Sequence, residues 1–166
     1  MASTIRGSDN FDTADNATQT ELDALATGKV LQVVQGTTNA TVSSTSTSFI
    51  EYTALSKSIT PTSSNSKILV TVEASVRSWG GTNYNGAWFM IARDGTQITG
   101  NWLVASYDYG NSGVQTRNNV SFTYLDSPNT TSSVTYSNWG KLESGSNFGW
   151  GVGGSISTIT LMEIGA

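Results

Sequence analysis

Between Lys67 and Val76 the chain counts in twos. Ile68, Val70, Val72, Ala74 and Val76 fall on one parity, and Lys67, Thr71, Glu73 and Ser75 on the other. Successive side chains of an extended strand point to opposite faces, so this period puts one face in a core and leaves the other to water or to an interface. A helix would scatter the same residues around its circumference. Arg117 to Leu125 repeats the pattern, with Val120, Phe122 and Tyr124 on one face. From Gly28 onward the remaining segments read as strands too: Lys29 to Gln35, Phe49 to Ile59, Ala87 to Arg93, Trp102 to Tyr107, Ser133 to Trp139 and Ile156 to Ile164. Asn39 to Ser48 is a polar edge strand or a loop.

Turn chemistry separates these segments. Pro61 starts a turn, Ser127-Pro128-Asn129 breaks the alternating run before it, and Asp108 to Gly113 is a turn. Asp94-Gly95 marks a tight hairpin, because both residues tolerate positive φ. Ser78 to Gly86 reads as a loop. About eight to ten strands at spacings of roughly 8 to 15 residues, with no alternation of strand and helix, predict an all-β fold. The expected form is an antiparallel β-sandwich of the jelly-roll type occupying 28–166.

Residues 1–27 form a different region. Asp9, Asn10, Asp12, Asp15 and Asn16 favour turns and caps. Thr18 and Glu21 have capping-box spacing, Leu22 and Leu25 share a face, and Gly28 stands where a helix would stop. Such a short helix is not stable alone and must dock on something. The region is either a loose leader or an anchor arm, gripping a neighbour through Ile5, Phe11, Leu22 and Leu25.

Composition removes whole classes of chemistry. There is no cysteine and no histidine. Disulfides, thiolate nucleophiles, histidine-dependent triads and the common zinc sites therefore drop out, and no cofactor or metal is expected. The net charge is −4, and the eight Lys and Arg never cluster, which argues against a nucleic-acid partner. No apolar run approaches the length of a membrane-spanning helix, and Met1 to Phe11 does not read as a secretion signal. Only 12% of residues are charged. A solvent face made mostly of hydroxyls and amides suits a protein that packs against copies of itself.

Glycosidic-bond cleavage would need two carboxylates at a defined separation. Glu51, Glu73, Asp94, Asp108, Asp126 and Glu143 are the candidates, and no pair stands out. Asp94 is explained by its hairpin and Asp126 by the turn before Pro128. Asp108-Tyr109-Gly110-Asn111 lacks the closing glutamate of a calcium loop. Gly149, Gly151, Gly153 and Gly154 lack the Lys-Ser/Thr ending of a phosphate loop, so close backbone approach or a bulge explains them better. Arg77, Arg93 and Arg117 either bridge to carboxylates across a subunit interface or are solvated.

The aromatic residues carry the one binding hypothesis. Trp88 and Trp102 lie inside strand patterns and are assigned to the core. Trp79, Tyr84, Tyr107 and Tyr109 fall at loops or strand ends beside Asn83 and Asp108. Aromatic faces stack on the C–H faces of sugars while amides and carboxylates take the hydroxyls, so these six residues are candidate glycan contacts. Packing between loops or subunits is the commoner role of such aromatic residues and stands as the competing explanation.

Several blocks carry a resemblance. GKVLQVVQ (Gly28 to Gln35), SITPTSSNSKILVTVEASV (Ser58 to Val76), IARDGTQI (Ile91 to Ile98) and STITLMEIGA (Ser157 to Ala166) resemble a family of small bacteriophage virion proteins, and so does the leader IRGSDNFDT (Ile5 to Thr13). The family occurs especially in phages of cyanobacteria and other aquatic bacteria. Its members are described as tail-fibre-like, head-fibre-like or decoration proteins. The resemblance implies a non-enzymatic, homotrimeric appendage on the virion surface, such as a short fibre, a fibre tip or a decoration protein. It would be anchored to other virion proteins by its N-terminus with the sandwich outward. A host-glycan-binding adhesin using the loops of 78–113 is the alternative, and a polysaccharide depolymerase the remote one.

The closing strand reaches almost to the terminus. Deleting Thr158 to Ala166 is expected to abolish soluble folded protein. A truncated chain that still melts cooperatively would show that the strand is peripheral.

Overall fold

The computed structural model describes residues 28–81, 84–107 and 115–165, without the side chains of Ser106 and Tyr107. The expected anchor residues Ile5, Phe11, Leu22 and Leu25, and the helix expected around them, lie outside the described residues. Within the described residues the strands are β1 (Val30–Thr38), β2 (Val42–Ser44), β3 (Ile50–Ile59), β4 (Lys67–Trp79), β5 (Tyr84–Arg93), β6 (Thr96–Gln97), β7 (Trp102–Tyr107), β8 (Gln115–Asp126), β9 (Val134–Ser144), β10 (Asn147–Trp150) and β11 (Ser157–Ile164).

These segments fill eight strand positions. β1 and β2 run in line along one edge, and β11 and β10 run in line beside them. β11 and β10 then share one side of β4, and β8 pairs the other side from Ile68 to Trp79. The second sheet runs β3, β9, β5, then β7 and β6 in line. Every pairing is antiparallel. Apart from the β5–β6 hairpin and the in-line continuations, each connection crosses from one sheet to the other. Four strands on four in this order is the jelly roll expected from the alternation.

The alternating β4 does what its period demands. Ile68, Val70, Val72, Ala74 and Val76 are all buried between the sheets, where Ile159 and Leu161 of β11 and Phe122 of β8 join them. Each of the larger of these side chains contributes about 1.5–3 kcal/mol by leaving water, and Ala74 less. β3 departs from strict alternation: Tyr52 and Leu55, three residues apart, are both buried. A register shift between Glu51 and Ser56 absorbs the mismatch.

The centre of the core is aromatic. The Trp150 ring stacks on Tyr52 at 5.0 Å between centroids and meets Phe89 and Phe148 edge-on at 5.7 and 5.2 Å. Gly140 on β9 makes room for them. A methyl there would come within 2.7 Å of Trp150 and 3.0 Å of both Phe148 and Phe89. The indole N–H donates to Asn138 Oδ1 at 2.7 Å, and Asn138 donates in turn to the Met90 carbonyl at 3.1 Å, so the buried polar tip is satisfied.

Several sequence expectations need correction. Trp88 is not a core residue: it is half-buried on the outer face of the second sheet, because Ala87 and Phe89 take the inward parity. Trp102 does pack on the core, against Phe122 at 4.9 Å. The stretch read as the loop Ser78 to Gly86 is mostly strand, with β4 running to Trp79 and β5 starting at Tyr84. Arg93 is not simply solvated: it pairs with Asp126 of its own chain at 2.6 Å. Asp126 is thus not a turn residue. It is buried and also accepts the Tyr136 hydroxyl at 2.7 Å. Burial first, and Asp126 second, push the Tyr136 phenol well above its ordinary pKa. The glycine-rich end holds two core aromatics, Phe148 and Trp150. Two of its glycines reflect close backbone approach, since a methyl on Gly149 or Gly151 would meet the Val42 or Ala40 carbonyl at 2.3 or 2.0 Å; Gly153 and Gly154 have open space around them and serve positive φ of 67° and 74° instead.

Glu163 was unremarkable in sequence and is fully buried. Its carboxylate accepts Gln32 Nε2 at 2.6 Å, and the Thr62 N–H and hydroxyl at 2.7 Å each. It therefore ties β11 to β1 and to the turn after β3. Burial opposes the charge, but the hydrogen bonds from Gln32 and Thr62 outweigh it and hold the pKa down to about 2.

Two outcomes follow from this packing. Gly140→Ala is expected to lower the unfolding free energy by about 1–3 kcal/mol, and Gly140→Val by more, in denaturant melts. The folded-state pKa of Glu163 lies below its ordinary 4.5. Its contribution is therefore complete above pH 4.5 and lost as the pH falls towards 2. Stability of Glu163→Gln, measured across that window, should fall less steeply than that of the unaltered protein.

Candidate binding surfaces

Of the expected glycan contacts, Trp79 and Tyr84 lie at the end of the sandwich where β4 passes into β5. Trp79 closes β4, between Asn147 of β10 and Gln115 of β8. It is half-buried, and the Arg77 guanidinium lies over its ring at 4.0 Å from the centroid. One ring face is therefore occupied by a cation. Tyr84 opens β5 opposite Tyr107 of β7. Its ring leans along its own strand over Gly86, where an added methyl would lie 2.8 Å from the Tyr84 hydroxyl oxygen. The turn between the strands is braced by Asn85, whose buried Oδ1 accepts the Gly81 N–H at 2.8 Å. Asn83, Asp108 and Tyr109, and the side chain of Tyr107, lie outside the described residues. Of the six candidates, the fold pairs Tyr84 with Tyr107 across strands and holds Trp79 against Arg77.

Several of the carboxylates have structural work. Asp94 Oδ1 accepts the Thr135 N–H at 2.8 Å from a hairpin in which Asp94 and Gly95 have φ of 49° and 77°. Asp126 and Glu163 are buried in the networks above, and Glu143 accepts the Trp88 indole N–H. Glu73 faces outward on the first sheet, on the rim of a shallow cleft of about 360 Å³ lined also by Ser75, Asn119, Ser121 and Ser155. Among the described residues, no group of three or more acidic side chains gathers as a metal site would require. No helix there is long and apolar enough to cross a membrane.

The two outer faces were not singled out by sequence, and they differ in chemistry. On the first sheet, cross-strand register aligns Val33 with Met162, Met162 with Leu69, and Leu69 with Leu125. One apolar row therefore spans all four strands on the face away from the core. Its ends are open: Val33 is 55% and Leu125 47% exposed. The next outward row is Gln35, Thr160, Thr71 and Thr123, again without a charge. The signal in sequence was Leu69, apolar on the polar parity of β4.

On the second sheet the outward residues are aromatic and charged. Trp88 of β5 stands between Lys141 of β9 and Leu103 of β7. Trp139 stands between Glu51 of β3 and Met90 of β5. The Trp139 indole N–H donates to Ser137 Oγ at 2.9 Å, and Lys141 Nζ lies 5.0 Å from the Phe49 ring centroid.

No protein-family model matches this chain. No curated protein matches it either. Solved structures similar to it include VP2 of the infectious bursal disease virus subviral particle, at 17% identity and a TM-score of 0.38, over 81% of this chain and 33% of that one. The T13 particle of the same virus gives 14% identity and a TM-score of 0.38, over 80% and 31%. The chain thus spans about a third of the length of those chains. At such scores the backbones diverge too far for the likeness to bear on function, and the jelly-roll assignment stands on the strand order.

Proposed function

We propose that this chain is a non-enzymatic structural protein of a bacteriophage particle, assembled as a homotrimer and displayed as a short fibre, fibre tip or decoration protein. The observation that carries the reading is the apolar row Val33, Met162, Leu69 and Leu125 on the outer face of the first sheet. A lone chain in water gains only small cross-strand contacts from four apolar side chains in register on its solvent face, and Val33 and Leu125 stay about half exposed. Removing them from water against another copy does stabilise an assembly, and the uncharged Gln-Thr row beside them can follow without burying an unpaired charge. The jelly roll is an architecture that capsid and lectin domains share, and here Asp94, Asp126 and Glu163 serve packing and turns. The virion location and the N-terminal attachment through Ile5, Phe11, Leu22 and Leu25 rest on the resemblance of the strand blocks and leader to phage virion proteins.

Light scattering on the full chain should give a mass near three times 17.5 kDa. Val33→Asp and Leu125→Asp should each lower it to that of the monomer without changing the β-sheet circular dichroism. A monomeric wild type, or variants of unchanged mass, would remove the interface. The location is checked by mass spectrometry of purified particles of the phage encoding the chain, in which its peptides should be present.

A further inference from the structure

We propose that the outer face of the second sheet is a carbohydrate-binding platform for a neutral polysaccharide, centred on Trp88 and Trp139. It lies on the opposite side of the sandwich from the proposed assembly face and does not depend on that reading. It also differs from the strand-end residues Trp79 and Tyr84.

The platform is built by strand register. Trp88 is directly across from Lys141, and Trp139 directly across from Met90, so the two indoles occupy diagonal positions on adjacent strands. Diagonal neighbours on one face of an antiparallel pair are roughly 7–8 Å apart. Two successive sugar rings of one chain can then each meet an indole. Met90 points away from the core yet is only 5% exposed, so the side chains flanking it on this face close over it. Leu103, 44% exposed beside Trp88, extends the apolar surface onto β7.

Both indoles are held before any ligand arrives. The Trp88 N–H is engaged by Glu143 and the Trp139 N–H by Ser137. A tethered ring loses little rotamer freedom on binding, which favours weakly attractive ligands such as sugars. Around the rings stand Glu51, Lys141 and Glu143, beside the aromatic positions rather than at a distant rim. That mixture selects the ligand class. A protein partner would bury these charges, and interface cores are depleted in charge for that reason. A pyranose instead lays its C–H face on the ring and directs hydroxyls sideways, where a carboxylate accepts and an ammonium donates. The mixed signs of the three charges favour an uncharged chain over a polyanion.

The test is electrophoresis of the full chain through native gels cast with one soluble polysaccharide each: hydroxyethyl cellulose, glycol chitin, dextran or yeast mannan. At least one polymer should retard the protein. Trp88→Ala and Trp139→Ala should each weaken that interaction tenfold or more, while Trp79→Ala and Tyr84→Ala leave it unchanged. Leu103→Asp, a change at an exposed position, should weaken it too and serves if a tryptophan variant fails to fold. No retardation by any of the four polymers would overturn the proposal. So would retardation that survives in the Trp88 and Trp139 variants but is lost on changing Trp79. A fall in oligomeric mass in the Trp88 or Trp139 variants would make the face a contact between copies and overturn it as well.

Discussion

The Trp150 indole, packed over Gly140 and stacked on Tyr52, is the contact on which the two sheets depend. Trp150 belongs to β10 in the first sheet, while Gly140 and Tyr52 belong to β9 and β3 in the second. A single side chain therefore spans the gap between layers, and the missing side chain at Gly140 leaves the space it fills. Phe89 and Phe148 complete the cluster from either sheet, each edge or stack adding about 0.5–1.5 kcal/mol beyond burial. Asn138 satisfies the indole N–H inside the same cluster, so the core contains a polar link without an unpaired donor. The aliphatic ladder of β4 packs alongside this centre.

Buried ionisable groups secure the margins of the same core. Arg93, Asp126 and Tyr136 join β5, β8 and β9 through one carboxylate. Glu163 joins β11 to β1 and to Thr62. In a chain without disulfides these carboxylates lock connections that hydrophobic contact would leave free to slide, and at Glu163 the cost is sensitivity to acid. Each is satisfied by several donors, which is the condition under which a buried charge stabilises rather than disrupts.

With the inner faces committed to the core, the outer faces hold what the protein can offer to others. They divide the chemistry between them. One has an uncharged apolar row suited to another copy of the chain. The other has tethered indoles interleaved with charges, suited to hydroxylated ligands. A sandwich that associates through the first face and binds through the second would present its platform away from the assembly.

The fold class was legible in the chain because period two and turn chemistry are local properties. Ile68 to Val76 and Asp94-Gly95 carry their strand and turn signals within a few residues of sequence. The choice of surface was not legible. Trp88 and Trp102 look alike as strand residues, and only the parity imposed by Phe89 and Trp102 facing the core turns Trp88 outward. Val33, Met162, Leu69 and Leu125 are scattered along the sequence, and cross-strand register alone brings them into one row. Glu163 likewise becomes a buried tie only when Gln32 and Thr62 arrive beside it. Strand periodicity is set within a few residues by backbone geometry, so sequence reveals it. Which strands become neighbours, and hence which side chains share a face, depends on packing between segments far apart in the chain, and only the assembled sandwich decides that.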